Sequence, residues 1–269
     1  MTIARIAGAA ALAVALAACK KEAPAEVQPK PVQSHAAEST PPPLPSNIAA
    51  STNAALPAEP AARPHAPTLN VPRAPKPITP SDKFDVNVWG SAVNTHTLLD
   101  ANGNGAVPVS EARFLWGDGK LYLAFYAGDL DLEMREKKHD GAVWKDDSFT
   151  VSFFVSGESK RVLTISPLGT LADGVCPNDA ESLADSRCDL HWESHVRTGV
   201  DYDGTVNKLG DFDEEWNIQL AIPLSALNAK ATPGTHVAFT LRRCDIAFDG
   251  QRACGLWGDP EHPAELVLE

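Results

Sequence analysis

From Ser81 to the C-terminus, apolar positions recur two apart in short runs, the spacing of a pleated strand rather than of a helix. The runs are "ARFLW", "KLYLAFYA", "SFTVSFFV", "RVLTIS", "LHWESHVR", "WNIQLAIP" and "VAFTLRRC". Each is rich in β-branched and aromatic residues and is bounded by Gly, Pro, Asp or Asn. In "SFTVSFFV", Phe149, Val151, Phe153 and Val155 take one face, while Thr150 and Ser152 begin the other. Ile218, Leu220 and Ile222 alternate in the same way in "WNIQLAIP". Asp118-Gly119, between "ARFLWG" and "KLYLAF", is a dipeptide that favours a tight hairpin turn. Many short strands separated by turn signals predict an all-β fold, a β-sandwich.

The first 80 residues are a different material. "MTIARIAGAAALAVALAACKKE" carries one cation, Arg5, ahead of an apolar run too short to span a bilayer. The run ends at Leu16-Ala17-Ala18-Cys19, which resembles the lipobox of bacterial lipoproteins. Residues 1–19 are therefore expected to be a lipoprotein signal peptide, cut before Cys19, with that thiol lipidated. Residue 20 is Lys and not Asp, so by the sorting rule of enteric bacteria the anchor belongs in the outer membrane. Its periplasmic or outer side stays open. Residues 20–80 hold 15 of the 22 prolines and almost no aromatic residue, so they are expected to be a disordered Pro/Ala-rich tether.

Residues 81–269 are then one domain. It carries 31 Asp and Glu against 16 Lys and Arg. Such a charge repels nucleic acid and anionic lipid and suits neutral ligands or cations. Membrane attachment is thus expected through the lipid anchor only, and the protein is expected to be a monomer.

Four cysteines remain in the domain, consistent with an oxidising compartment. Three pairings are open to them. In "CDIAFDGQRAC", a three-residue loop Phe248-Asp249-Gly250 puts Cys244 directly opposite Cys254, at bridging distance. Cys176 and Cys188 would then close the short loop "CPNDAESLADSRC". "DANGNGAVPVSE" matches every specified position of a calcium loop: Asp100, Asn102, Asn104, Gly105 and Glu111. An EF-hand needs a helix on each side, and "ARFLWGDG" turns into a hairpin instead. A strand-flanked calcium loop through Asp100, Asn102, Asn104 and Glu111 stays open beside a simple Asn-Gly turn. "HWESH" differs from the zinc motif HExxH and reads as a solvated strand face carrying His191, Glu193 and His195. Neither a nucleophile elbow nor a HExxH helix occurs, so no catalytic residue is assigned.

"ARFLWGDGKLYLAFYAGD", "VWKDDSFTVSFF", "DGTVNKLGDFDEEWNIQLAIPLSAL" and "GLWGDP" follow one another in an order that resembles the family 9 carbohydrate-binding modules and their relatives. The resemblance covers nearly all of 84–268. It implies a jelly-roll-like β-sandwich that binds sugars without cutting them, through aromatic clamps, flanking polar groups and structural calcium. No other cofactor is required. Trp116 and Trp216 read as core, Trp89 as packing near the domain start, and Trp192 as inward-facing by its alternation with Leu190 and Val196. Trp144 and Trp257 are left as the expected clamp, with Asp146 or Asp147 beside Trp144 as a hydroxyl partner. The domain also resembles DOMON-like haem-binding sandwiches, for which Met134 near His139 is the only methionine of the mature chain. A third reading is an envelope scaffold that holds a protein partner or peptidoglycan.

Overall fold

The computed structural model describes residues 68–269, apart from 82, 107, 158, 209, 211 and 248. The signal peptide, Cys19 and the first part of the tether lie outside the described residues.

The alternating runs form strands. In chain order these are β1 (Thr68–Val71), β2 (Val93–Asn94), β3 (Ser110–Gly117), β4 (Lys120–Gly128), β5 (Ser148–Ser156) and β6 (Ser159–Ile165). They are followed by β7 (Leu171–Pro177), β8 (Arg197–Asp203), β9 (Glu215–Pro223), β10 (His236–Ile246), β11 (Arg252–Trp257) and β12 (Ala264–Leu268). One sheet has the order β1-β12-β10-β5-β6-β7, with β11 also on β10; the other runs β2-β3-β4-β9-β8. The long β10 pairs with β12 through His236–Phe239 and with β11 through Leu241–Ile246, while β5 lies along its opposite edge. The expected two-sheet sandwich is the observed one.

The two sheets face each other across the core. Phe114, Trp116, Leu123, Phe125, Trp216 and Ile218 come from one, and Phe149, Val151, Phe153, Phe239 and Leu241 from the other. Phe125 stacks on Phe149 with ring centres 3.8 Å apart and meets Trp216 edge-on at 5.3 Å. The β3–β4 turn is the expected two-residue hairpin, with both Asp118 (φ 49°) and Gly119 (φ 72°) left-handed. That pair of angles matches the twist of the strands it joins. Both expected disulfides are present, and Cys244 pairs with Cys254 directly across β10 and β11.

The sandwich reaches back across the boundary drawn at residue 80. β1 pairs in parallel with β12 and buries Leu69 and Val71. "TLNV" is short and flanked by prolines, and its partner is the last strand of the chain, so no local signal marks it. After β1, Ala74, Ile78, Phe84 and a single helical turn (Val86–Trp89) cover the outer face of the five-stranded sheet. Trp89 donates through Nε1 to Gln219 Oε1 at 3.3 Å, and so packs near the domain start as expected. A chain begun at Ser81 should therefore melt about 10 °C below one begun at Ala58, because two buried aliphatic side chains stabilise by about 1.5–3 kcal/mol each. Equal melting temperatures in a calorimetric scan would show that β1 contributes nothing.

Candidate functional site

β7 ends its sheet, and an edge strand must have its free amides and carbonyls covered. Two loops do this. Asp140 donates its amide to Leu171 O at 3.1 Å and accepts the Asp173 amide on Oδ1 at 3.2 Å. Farther along, Val175 and Asp189 exchange backbone hydrogen bonds of 3.0 and 2.8 Å. Between them Gly174 lets the chain pass close, since a Cβ there would lie 2.9 Å from Asp189 O. The Cys176–Cys188 disulfide closes the intervening loop, whose Ala180 and Leu183 are buried against Val162 and Ala172. Lys160 clamps it further by donating to Ala180 O at 2.6 Å.

This covering loop forms one wall of a groove of about 1110 Å³. Arg161 of β6 lies across from Phe153 on one side and Val175 on the other. Paired residues share a sheet face, so Arg161 stands on the core side of the sheet. Its guanidinium sits 4.9 Å from the ring centre of Trp192, which is half-buried. Asp179, Arg187, Asp189 and His191 complete the polar lining. Arg187 is held by Asp179 at 3.1 Å and Asp185 at 2.6 Å, and its hydrogen bonds hold the Asp185 pKa down at about 2. Arg161 Nε and Asn178 Oδ1 are buried in the lining without a protein partner.

The expected clamp is not assembled. Trp257 lies in β11 opposite Leu241, is 9% exposed and packs against Phe239 with ring centres 5.6 Å apart. Trp144 sits half-buried in a 3-10 turn (Val143–Lys145) against the disulfide loop, in a different cluster. Trp192, expected to point inward, is half-buried against Arg161 and joins none of the core clusters. Residues 188–196 are not a strand, although exposure still alternates from Asp189 to Arg197, and His195 is left-handed (φ 54°). "HWESH" is accordingly no strand face: His191 is exposed beside Asp189, whereas Glu193 lies 3.3 Å from His139 Nε2.

Asp146 and Asp147 do diverge, but both are buried and hold backbone. Asp146 Oδ2 accepts the amides of Arg135 and Glu136 at 2.9 and 2.8 Å. Asp147 accepts from Glu133 at 2.6 Å and from Ile246 at 2.7 Å. Asp147 also belongs to a buried ionic group. Arg243 Nη2 lies 2.7 Å from Asp129 and 2.5 Å from Asp245, and Trp216 Nε1 donates to Asp129 at 3.0 Å. One cation faces three carboxylates. Burial, and then the charge of Asp129, push the Asp147 pKa up to about 9. Burial raises Asp129 to about 6 despite Arg243.

In the proposed calcium loop, Asp100 Oδ1 accepts the amides of Asn102 and Asn104 at 2.8 and 2.9 Å, which makes an Asp-anchored turn. Glu111 lies in β3, with its carboxylate taken by Arg113 at 2.7 Å. Asp100, Asn102 and Asn104 thus share one turn, while Glu111 is engaged with Arg113. Met134 is fully buried in the main core.

No known family's sequence profile matches the chain, and neither does any curated protein. Solved structures do. A Bacteroides uniformis protein provisionally assigned to carbohydrate binding aligns over 76% of this chain and all of its own, at 13% identity and a TM-score of 0.56. A family 9 carbohydrate-binding module from Caldicellulosiruptor kristjanssonii, solved with cellotriose, aligns over 75% of this chain and 93% of its own. The identity is 14% and the TM-score 0.52. Its glucose complex aligns over 75% and 95% at the same identity and score. The fold is shared with these modules, as the sequence resemblance implied.

The buried carboxylates give a pH signature. Asp147 binds its proton more tightly folded than unfolded, so the stabilisation from protonation is complete below about pH 4 and is lost as pH rises through about 9. Asp129 acts in the same sense up to about pH 6. The melting temperature should therefore fall from pH 5 to pH 9. Asp147→Asn, a neutral mimic of the protonated acid, should flatten the upper part of that fall. A wild-type melting temperature that stays level or rises across this range would refute the assignment.

Proposed function

We propose that this protein is a non-catalytic carbohydrate-binding module whose sugar site is the Trp192 groove. The observation that carries this reading is the pairing of a half-exposed indole with exposed polar side chains in one depression. A pyranose offers an apolar C–H face to a flat ring and hydroxyls to the sides. Asp179, Arg187, Asp189 and His191 are exposed along the groove and supply acceptors and donors for those hydroxyls. The shared fold supports the same reading, since two of the similar structures are modules solved with cellotriose and glucose.

In this reading the sandwich is displayed by the proline-rich tether from a lipidated Cys19 in the bacterial outer membrane. It acts as a monomer that captures a polysaccharide or chain-end sugar, as an accessory to glycoside hydrolases. Sugar type is set by the disulfide-closed loop, because that loop contributes Asp179 and Arg187 to the groove.

The test is a binding panel of insoluble polysaccharides, peptidoglycan and small sugars, read by pull-down and calorimetry. Trp192→Ala and Arg161→Ala should each weaken binding tenfold or more, about 1.4 kcal/mol, without lowering the melting temperature much. Trp257→Ala should instead destabilise the fold by about 3–5 kcal/mol as a core truncation. Undiminished binding by folded Trp192→Ala would move the site elsewhere. A folded chain that binds no glycan would favour a scaffold for a protein partner.

A further inference from the structure

We propose that His139, Asp140, Asp173 and Glu193 form a site for one divalent transition-metal ion, with Zn²⁺ as the ion they fit. The four come from three separate pieces of chain: the loop before the Trp144 turn, β7, and the segment leading to β8. Three carboxylate oxygens converge on His139 Nε2, at 3.3 Å for Glu193 Oε2, 3.5 Å for Asp140 Oδ2 and 3.7 Å for Asp173 Oδ1. Ligands bound at about 2.0–2.1 Å in a tetrahedron stand about 3.3–3.4 Å from one another. His139, Asp140 and Asp173 offer atoms within 4.8 Å of one another, and the half-exposed Glu193 beside His139 swings in to complete the set.

Two features argue for an ion rather than a surface ion pair. The first is Asp173, whose side chain is 1% exposed and whose Oδ1 has no hydrogen-bond partner. A buried carboxylate oxygen pointing into a cluster of further carboxylates is costly unless a cation meets it. A single imidazolium N–H satisfies one of three such oxygens at most. The second is how the ligands are held. Asp173 Oδ2 accepts the Ser194 amide at 2.7 Å, and Asp140 Oδ1 accepts the Asp173 amide at 3.2 Å. Both aspartates are thus fixed through one oxygen and present the other, the usual support around a metal centre.

The donor set selects the ion. Calcium takes six to eight oxygens at longer distances, whereas one imidazole and three carboxylates suit zinc or a neighbouring first-row metal. With all four positions supplied by protein, the site is structural. It ties the loop that covers the start of β7 to the segment carrying Trp192. This site stands whether or not the groove binds sugar.

The test uses the full chain, stripped with a chelator and dialysed, then titrated with ZnCl₂, MnCl₂ and CaCl₂ in a calorimeter, with bound metal counted by plasma mass spectrometry. One equivalent of Zn²⁺ should bind, tighter than Ca²⁺ by at least a hundredfold, and should raise the melting temperature. His139→Ala, Glu193→Gln and Asp173→Asn should each weaken Zn²⁺ binding tenfold or more, while His191→Ala leaves it unchanged. Glu193 is half-exposed, so its variant tests the site even if Asp173→Asn folds poorly. Co²⁺ in place of Zn²⁺ should give visible d–d bands without a thiolate charge-transfer band, and His139→Ala should shift them. A folded chain that takes up no Zn²⁺, uptake indifferent to all three ligand variants, or a preference for Ca²⁺ would each overturn the proposal.

Discussion

An edge strand presents a row of amides and carbonyls that must find partners, and β7 is such a strand. Here the partners are two loops laid along it, with Asp140 bonding at Leu171 and Asp173 and Asp189 bonding at Val175. Covering the edge brings residues 139–140 and 189–193 to the same strip of surface. The groove and the histidine–carboxylate cluster both arise there, one beside Val175 and the other beside Asp173. Loops fixed at both ends hold side chains more precisely than free ones, and the Cys176–Cys188 disulfide restrains the longer of the two.

Away from that edge, the two sheets are joined by charge as well as by the aromatic core. Arg243 on β10 reaches Asp129, which follows β4, while Trp216 of β9 donates to the same carboxylate. Asp147 connects the start of β5 to Glu133 and Ile246. Removing one partner from such a group leaves an uncompensated buried charge, at a cost of about 3–5 kcal/mol. The same desolvation raises the pKa of Asp147 and Asp129. The charged cluster and the Trp192 groove therefore place the same residue types in different settings. In the first, Asp129 and Asp147 hold guanidinium, indole and backbone groups, whereas the second is lined by exposed Asp179, Arg187, Asp189 and His191.

Aromatic residues divide along similar lines. Trp116, Trp216 and Trp257 serve the core, Trp89 seals the outer face of the smaller sheet, and Trp144 supports the disulfide loop. Trp192 alone among the six lines the groove. Its neighbour Arg161 lies on the core side of the sheet, at a point where the covering loops rather than the opposite sheet meet it.

What the sequence determined by itself was everything with a short period. Phe149, Val151 and Phe153 announce a buried strand face because pleating repeats every two residues. Asp118-Gly119 announces a hairpin because few dipeptides tolerate two left-handed residues. Cys244 and Cys254 announce their bond because a three-residue loop places them opposite each other. The tertiary structure alone decided what depends on distant segments meeting. β1 is a strand because β12 lies beside it, and Trp257 is core because Leu241 and Phe239 are its neighbours. "GLWGDP" carries the letters of an exposed loop and says nothing of those partners. Trp192 lies in a segment with no strand pairing, so alternation along the chain marked its half-buried side but not the groove it lines. His139, Asp140, Asp173 and Glu193 show no motif spacing, since the strand edge and its covering loops, not the sequence interval, bring them within reach of one ion.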